Sequence, residues 1–394
     1  MLSSALLLGI LAGVLASLFW PGGPVSGYEY HIWKWQADTF TSTVFARLGI
    51  GPDPDSTAGA EAVQQYFALT SQIRAESEEE APDLALLDVL QNERATYEND
   101  VERLIERYIT EAIEENGRLQ RNLPLFREVS FTWPPVEFEL TAPPRLLVRS
   151  PRDRIERTGD TLLKTDLSLR DIEEIEADVD SDERVSLVIS IGGLAAYPAI
   201  IRDDRTYNSV LETAAHEWVH HYLAFFPLGE QWGRGGDAET LNETTASVAG
   251  RELAFLVRQA HPIEFPDDLD GRAPTRPAIE IDFNAEMRAL RLKVDELLAA
   301  GEVAKAERLM EEKRLWFNEN GIAIRKINQA YFAFYGTYAD NPASSNPIGP
   351  KVDRVWELTG DVGIFLNFMR DVTSVDDLDE VLAQLEAAEA ASAQ

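Results

Sequence analysis

The chain has 394 residues, 68 acidic and 36 basic side chains, a formal net charge of -32, five histidines and no cysteine. That length fits one large domain or two ordinary ones, and a hydrophobic content of 45% supplies a core rather than a disordered chain. The charge argues against nucleic acid as a partner, because that needs a basic surface, and the missing cysteines exclude a disulfide scaffold, a thiol nucleophile and any Cys-ligated metal.

Met1 to Trp20 carry no charged side chain. A helix needs ~20 apolar residues to cross a bilayer, and Trp20, Tyr28, Tyr30, Trp33 and Trp35 suit an interfacial aromatic belt. We expect an N-terminal transmembrane helix over 1–20 that anchors the rest at the extracytoplasmic face. A cleaved signal peptide, giving a secreted chain, is the alternative, but there is no basic n-region and no clean cleavage site. A buried helix is the third option. Residues 21–57 form a juxtamembrane segment and linker, ending in the turn-rich GPDPDST. Residues 58–130 are expected to be helical. Val101, Leu104, Ile105, Tyr108, Ile109 and Ala112 recur at helical spacing. The acidic run at 76–80 reads as a solvated face or loop.

The period then changes. Val136, Phe138 and Leu140 alternate with Glu137 and Glu139 as in a half-exposed strand, with 146–148 as its candidate partner. Val185, Leu187, Ile189 and Ile191 mark a second strand. Gly192 and Gly193 break it, and 194–201 is a candidate third. Residues 206–258 read as helix with one loop. Residues 283–335 read as a long helical hairpin turning at Gly301, with Met287, Leu290, Val294 and Leu297 on one apolar stripe. An acidic, Ala-rich helix closes the chain. The fold class is therefore α+β, mainly helical, with a small β-sheet ahead of the helix after 206.

Three of the five histidines fall in His216-Glu217-Trp218-Val219-His220-His221. On a helix, His216 and His220 stand one turn apart on the same face and can share a metal. Ser209-x-x-Glu212 has the form of a capping box at the helix start. Glu217, between the two histidines, is placed to take a proton from a water on that metal. A buried histidine pair with no metal is the bland alternative. A catalytic zinc usually takes three protein ligands. Glu243, in Asn242-Glu243-Thr244-Thr245-Ala246, follows His220 by a loop and a helix reversal and is the candidate third ligand. Ala246 and Gly250 would let the two helices pack closely. Asp237 and Glu239 are rival third ligands, and Asp340 is a further one. His221 sits about 100° around the helix from His220, and His31 and His261 lie outside the motif.

At His216, Glu217, His220, Asn242, Glu243 and Ala246 the chain resembles the gluzincin zinc metallopeptidases, and among them the predicted membrane-associated bacterial aminopeptidases. The resemblance covers about 50 residues directly. It implies a Zn2+ cofactor held by His216, His220 and Glu243, with Glu217 as general base. It implies a peptide or protein substrate paired with an edge strand, for which 194–201 is the candidate. With the preceding strands included the resemblance extends over 185–258, and we expect the zinc-peptidase core at 131–270 with a helical region packed on it at 271–394. A developing oxyanion needs a further donor, and Tyr335 and Tyr338 are candidates. The His220-to-Glu243 gap is longer than in the best-known aminopeptidases. Ala195 stands where those enzymes carry the Glu that holds a free amine. Exo- and endopeptidase action both stay open. The competing expectation is a non-catalytic, metal-stabilised scaffold that binds partners through its helical arms.

Overall fold

A computed structural model of the chain describes residues 25, 27–32, 34–36, 56–116, 119–123, 126–232, 236–265, 281–338 and 341–392. The expected membrane helix over 1–20 lies outside them, as do 51–55 of the linker and Asp340. Among the described residues no helix is long and apolar enough to cross a membrane.

Three helices open the described chain, α1 (Ser56–Ser77), α2 (Leu84–Ala95) and α3 (Glu98–Asn116). Asp83 caps α2 by accepting from the amides of Ala85 and Leu86. The stripe predicted on α3 is fully buried, from Val101 to Ile113. A hairpin follows, β1 (Gln120–Leu123) and β2 (Phe126–Thr132), within the region expected to be purely helical. Next come β3 (Phe138–Leu140), β4 (Arg145–Pro151), β5 (Gly159–Leu163), α4 (Leu169–Val179), β6 (Arg184–Ser190), β7 (Gly193–Leu194) and β8 (Ala199–Ile201). The helical half holds α5 (Tyr207–Leu223), α6 (Pro227–Glu230), α7 (Gly236–Ala260), α8 (Phe283–Ala299), α9 (Val303–Glu319) and α10 (Gln329–Tyr335). It ends with α11 (Ile348–Thr359), α12 (Val362–Met369) and α13 (Val375–Ser392). The fold is mainly helical with small sheets. The hairpin turn falls at Gly301, whose φ of 74° suits a residue without a side chain.

Two of the strand expectations need correction. Segment 146–148 does not pair with β3. It belongs to β4, the centre of an antiparallel sheet of order β5-β4-β6. β3 instead pairs in parallel with β8, and β8 pairs antiparallel with β7. Segment 194–201 is thus not one strand but the end of β7, a connection and β8, with β7 at the edge of the three.

The β5-β4-β6 sheet is covered on both faces. Leu147 and Val188 turn to one side and pack with Ile172, Ile175 and Val179 of α4. Leu146, Val148, Leu187 and Ile189 turn to the other and meet Ala330 and Phe334 of α10. The period of two sends alternate residues to opposite faces, and here both faces are apolar. A latch holds α10 to this sheet. Glu176 of α4 receives Arg325 (2.9 Å) and Lys326 (3.1 Å) and also accepts from the amide of Val188 (2.7 Å). Asn328 caps α10 and donates to the Ser186 carbonyl at 3.0 Å. A separate and larger apolar cluster joins α3, α5, α7, β3, β8 and the last three helices. The cleft described next lies where these two packing units meet.

Candidate metal centre

α5 begins at Tyr207, in keeping with helix from 206, but its cap is not the one expected. Its N-cap is Thr206, whose hydroxyl accepts from the Ser209 amide at 3.4 Å, so the Ser209–Glu212 pair is not the capping box. Glu212 pairs with Arg258 instead, at 3.2 Å. The helix is anchored from behind by Trp218, fully buried, whose indole donates to the Pro134 carbonyl at 2.9 Å. That fixes the rotation of α5 and turns His216, Glu217 and His220 toward the cleft.

α7 runs back across α5. A Cβ on Gly250 would stand 2.8 Å from the His216 backbone, and Ala246 is fully buried beside it. Small residues there bring the helices close enough for Glu243 to reach the histidines. Its Oε2 lies 3.5 Å from Nε2 of both His216 and His220, and the two Nε2 atoms are 2.9 Å apart. The edges of a tetrahedron with metal–ligand bonds near 2.0 Å measure ~3.3 Å. These three residues form a group that could hold a metal ion.

The surroundings fit a cation. Oε2 of Glu243 is buried and has no hydrogen-bond partner. Such an orphaned carboxylate oxygen is costly unless something positive meets it. Burial favours the neutral acid, yet His220 and His216 outweigh it and hold Glu243 well below the usual carboxylate range. Burial likewise lowers the His220 imidazole, but the Glu243 carboxylate overcomes it and brings it to about 9. An ion would satisfy the same carboxylate without those protons. Asn242 completes the arrangement. Nδ1 of His220 donates to its side-chain oxygen at 2.7 Å, so that once an ion displaces the Nε2 proton it is the Nε2 lone pair that faces Glu243.

Glu217 is buried in the same wall, and burial raises its carboxyl. β7 lies directly over it. A Cβ on Gly193 would collide with the Glu217 carboxylate and stand 2.8 Å from the Thr213 methyl. Across the cleft, Tyr335 and Tyr338 both line the cavity, carried there by α10 and the turn after it. Burial and the carboxylates of Glu243 and Glu217 push the Tyr338 phenol well up, so it stays a proton donor. Burial raises Tyr335 too.

The rivals are placed elsewhere. Glu239 is ion-paired with Arg157, which also binds Asp160 at 2.8 Å. Asp237 sits exposed in the first turn of α7. His221 donates from Nε2 to the Ala196 carbonyl at 2.6 Å, tying α5 to the β7–β8 connection. His261 stacks on Tyr108 and meets Glu111 at 2.8 Å.

Sequence reasoning missed Arg157 and Asp160 from β5 and its lead-in, and Trp232, whose ring centroid is 6.1 Å from that of His220. The cavity they share with the metal group holds about 680 Å³. Set beside known proteins, the chain matches no family model, no curated protein and no solved structure, so its own side chains carry the functional argument.

Proposed function

We propose that the chain is a zinc-dependent peptidase of the gluzincin type, with His216, His220 and Glu243 as ligands and Glu217 as general base. The observation that carries this is the convergence of two imidazoles and one orphaned carboxylate oxygen, with a second buried carboxylate beside them in an open cleft. Two nitrogens and one oxygen, with no thiolate, are the donor set of catalytic rather than structural zinc. The bound ion supplies Lewis-acid polarisation of the scissile carbonyl and makes a water acidic enough to attack near neutral pH.

The protein residues do the rest. Glu217 accepts the proton of the attacking water and returns it to the leaving nitrogen. Tyr338 donates to the oxyanion as it forms. Asn242 keeps His220 in the tautomer that presents Nε2. The β7 edge offers backbone groups to an extended substrate chain. The uncharged stretch Met1–Trp20 supports a membrane-anchored enzyme with its cleft on the extracytoplasmic side.

Glu217→Gln is the deciding variant. It should keep about one zinc per chain, by metal analysis, and lose a factor of about 10²–10⁴ in kcat on a peptide library. Undiminished hydrolysis would overturn the role of Glu217. Tight zinc with no hydrolysis in the unaltered protein would favour the scaffold instead.

A further inference from the structure

The two arms of the cleft differ in charge. On one side of the metal group, Arg157 is bound by Asp160 and Glu239. Those charges are spent on each other. On the other side, α5 and α7 present Thr213, Ser247 and Arg251 to the cavity. Glu243, Ser247 and Arg251 are spaced four apart, so they share one face of α7. Glu212 borders this arm too, but it is taken by Arg258. Arg251 has only a 3.7 Å approach to its sequence neighbour Glu252, and its side chain is 46% exposed. Within the described cleft lining, it is the cation with no acidic partner across the cavity.

The chemistry gives this arm a direction. The leaving nitrogen must lie beside Glu217, which protonates it, so the substrate residues after the scissile bond start there. Thr213 is four positions before Glu217 on α5, on the same face. β7 covers Glu217 and Thr213 at Gly193, so the C-terminal part of a substrate paired with the β7 edge runs beside that strand, past Thr213 and toward Arg251. The eight-residue step from Glu243 to Arg251 is a rise of ~12 Å, and helical side chains lean toward the N-terminus, here back toward Glu243. An extended chain advances ~3.3 Å per residue. The guanidinium therefore stands about one to three residues beyond the scissile bond. At the far side of the catalytic group, the free-amine route is closed: Ala195 offers no carboxylate, and Asp160 is held by Arg157.

We propose that Arg251 binds the free C-terminal carboxylate of the substrate, so that the enzyme removes short fragments of one to three residues from peptide C-termini. This rests on the zinc-peptidase reading and deepens it. A guanidinium meets a carboxylate with two parallel hydrogen bonds, and no uncharged amide reproduces both.

The test compares two N-acetylated hexapeptides of Ala, Leu and Phe, identical except that one ends in a free acid and the other in an amide. The full chain loaded with zinc should cleave the acid with roughly 10- to 100-fold higher kcat/KM, as expected for a charge-assisted pair. Mass spectrometry should place the cut one to three residues from the C-terminus. Arg251→Gln should bring the ratio close to one, with the change mainly in KM, and Arg251→Lys should restore part of it. A second measurement uses no turnover: calorimetric binding of the two peptides to Glu217→Gln, with and without Arg251→Gln, should show the same preference and its loss. Equal cleavage of acid and amide, or a preference that survives Arg251→Gln, overturns the proposal while leaving the peptidase standing. No hydrolysis of either peptide overturns the peptidase and this proposal together.

Discussion

Asn242 acts on His220 from the helix opposite, and its removal leaves all three candidate ligands in place. Its oxygen fixes the imidazole, and its own Nδ2 is held by the Leu228 carbonyl at 3.4 Å. Asn242→Ala should weaken zinc binding by about 10- to 100-fold, read by competition with a chelating dye. Wild-type affinity in that variant would mean that His220 is oriented by packing alone. His216, Glu217, His220 and Glu243 were legible because the helical period converts spacing into direction. Arg157 was not, since it reaches Glu239 from 82 positions upstream through a loop whose path no local pattern fixes. Arg251 stood in plain sight on the Glu243–Ser247 face, but a lone arginine on a helix carries no signal until its neighbours are known to be paired.

At the level of elements, β3 shows how a short strand is finished. One edge pairs with β8. Toward α3, the amide of Phe138 donates to Glu106 at 2.9 Å and that of Leu140 to Glu102 at 2.6 Å. Two glutamates one helical turn apart thus replace a missing strand. Burial raises Glu106 to about 8 and Glu102 well above its usual range. The folded chain then keeps protons that the unfolded chain gives up near pH ~4.3. Through Glu106, stability should fall as pH rises from there to about 8, by up to ~1.4 kcal/mol per pH unit, with that group's contribution levelling off above it. Glu106→Gln keeps the accepting oxygen and should flatten the slope in urea titrations at pH 5, 7 and 9. An unchanged slope would show that Glu106 titrates normally. Helices were readable here because their stripes are long. The parallel β3–β8 pairing was not, because its two strands of three residues each offer too little pattern. The alternation at 185–191 also concealed a second buried face, since Ser186 is itself buried and bonded to Asp180 at 2.7 Å.

Across the whole molecule, the candidate site straddles a seam. The ligand helices belong to the largest apolar cluster. Tyr335 and Tyr338 pack with the sheet and α10. The proposed metal binding and the proposed oxyanion contact should therefore be separable by mutation. Glu176→Gln loosens the latch that holds α10 without touching α5 or α7. It should cost about 2 kcal/mol of stability and lower kcat, while zinc affinity stays as it was. A parallel loss of zinc would mean that the two units move as one. The division into units was invisible in the sequence, because apolar periodicity marks a buried face without saying which face it meets.

Gly193 carries a consequence of its own. With a hydrogen where every other residue carries at least a methyl group, the backbone of β7 closes onto Glu217 and leaves no room for a hydration layer between them. On this side the proposed base is shielded from water by an absence. Any side chain at this position would lift the strand and admit water to the face of Glu217 that β7 now covers, and under the proposed mechanism that water would compete for the proton the carboxylate takes up.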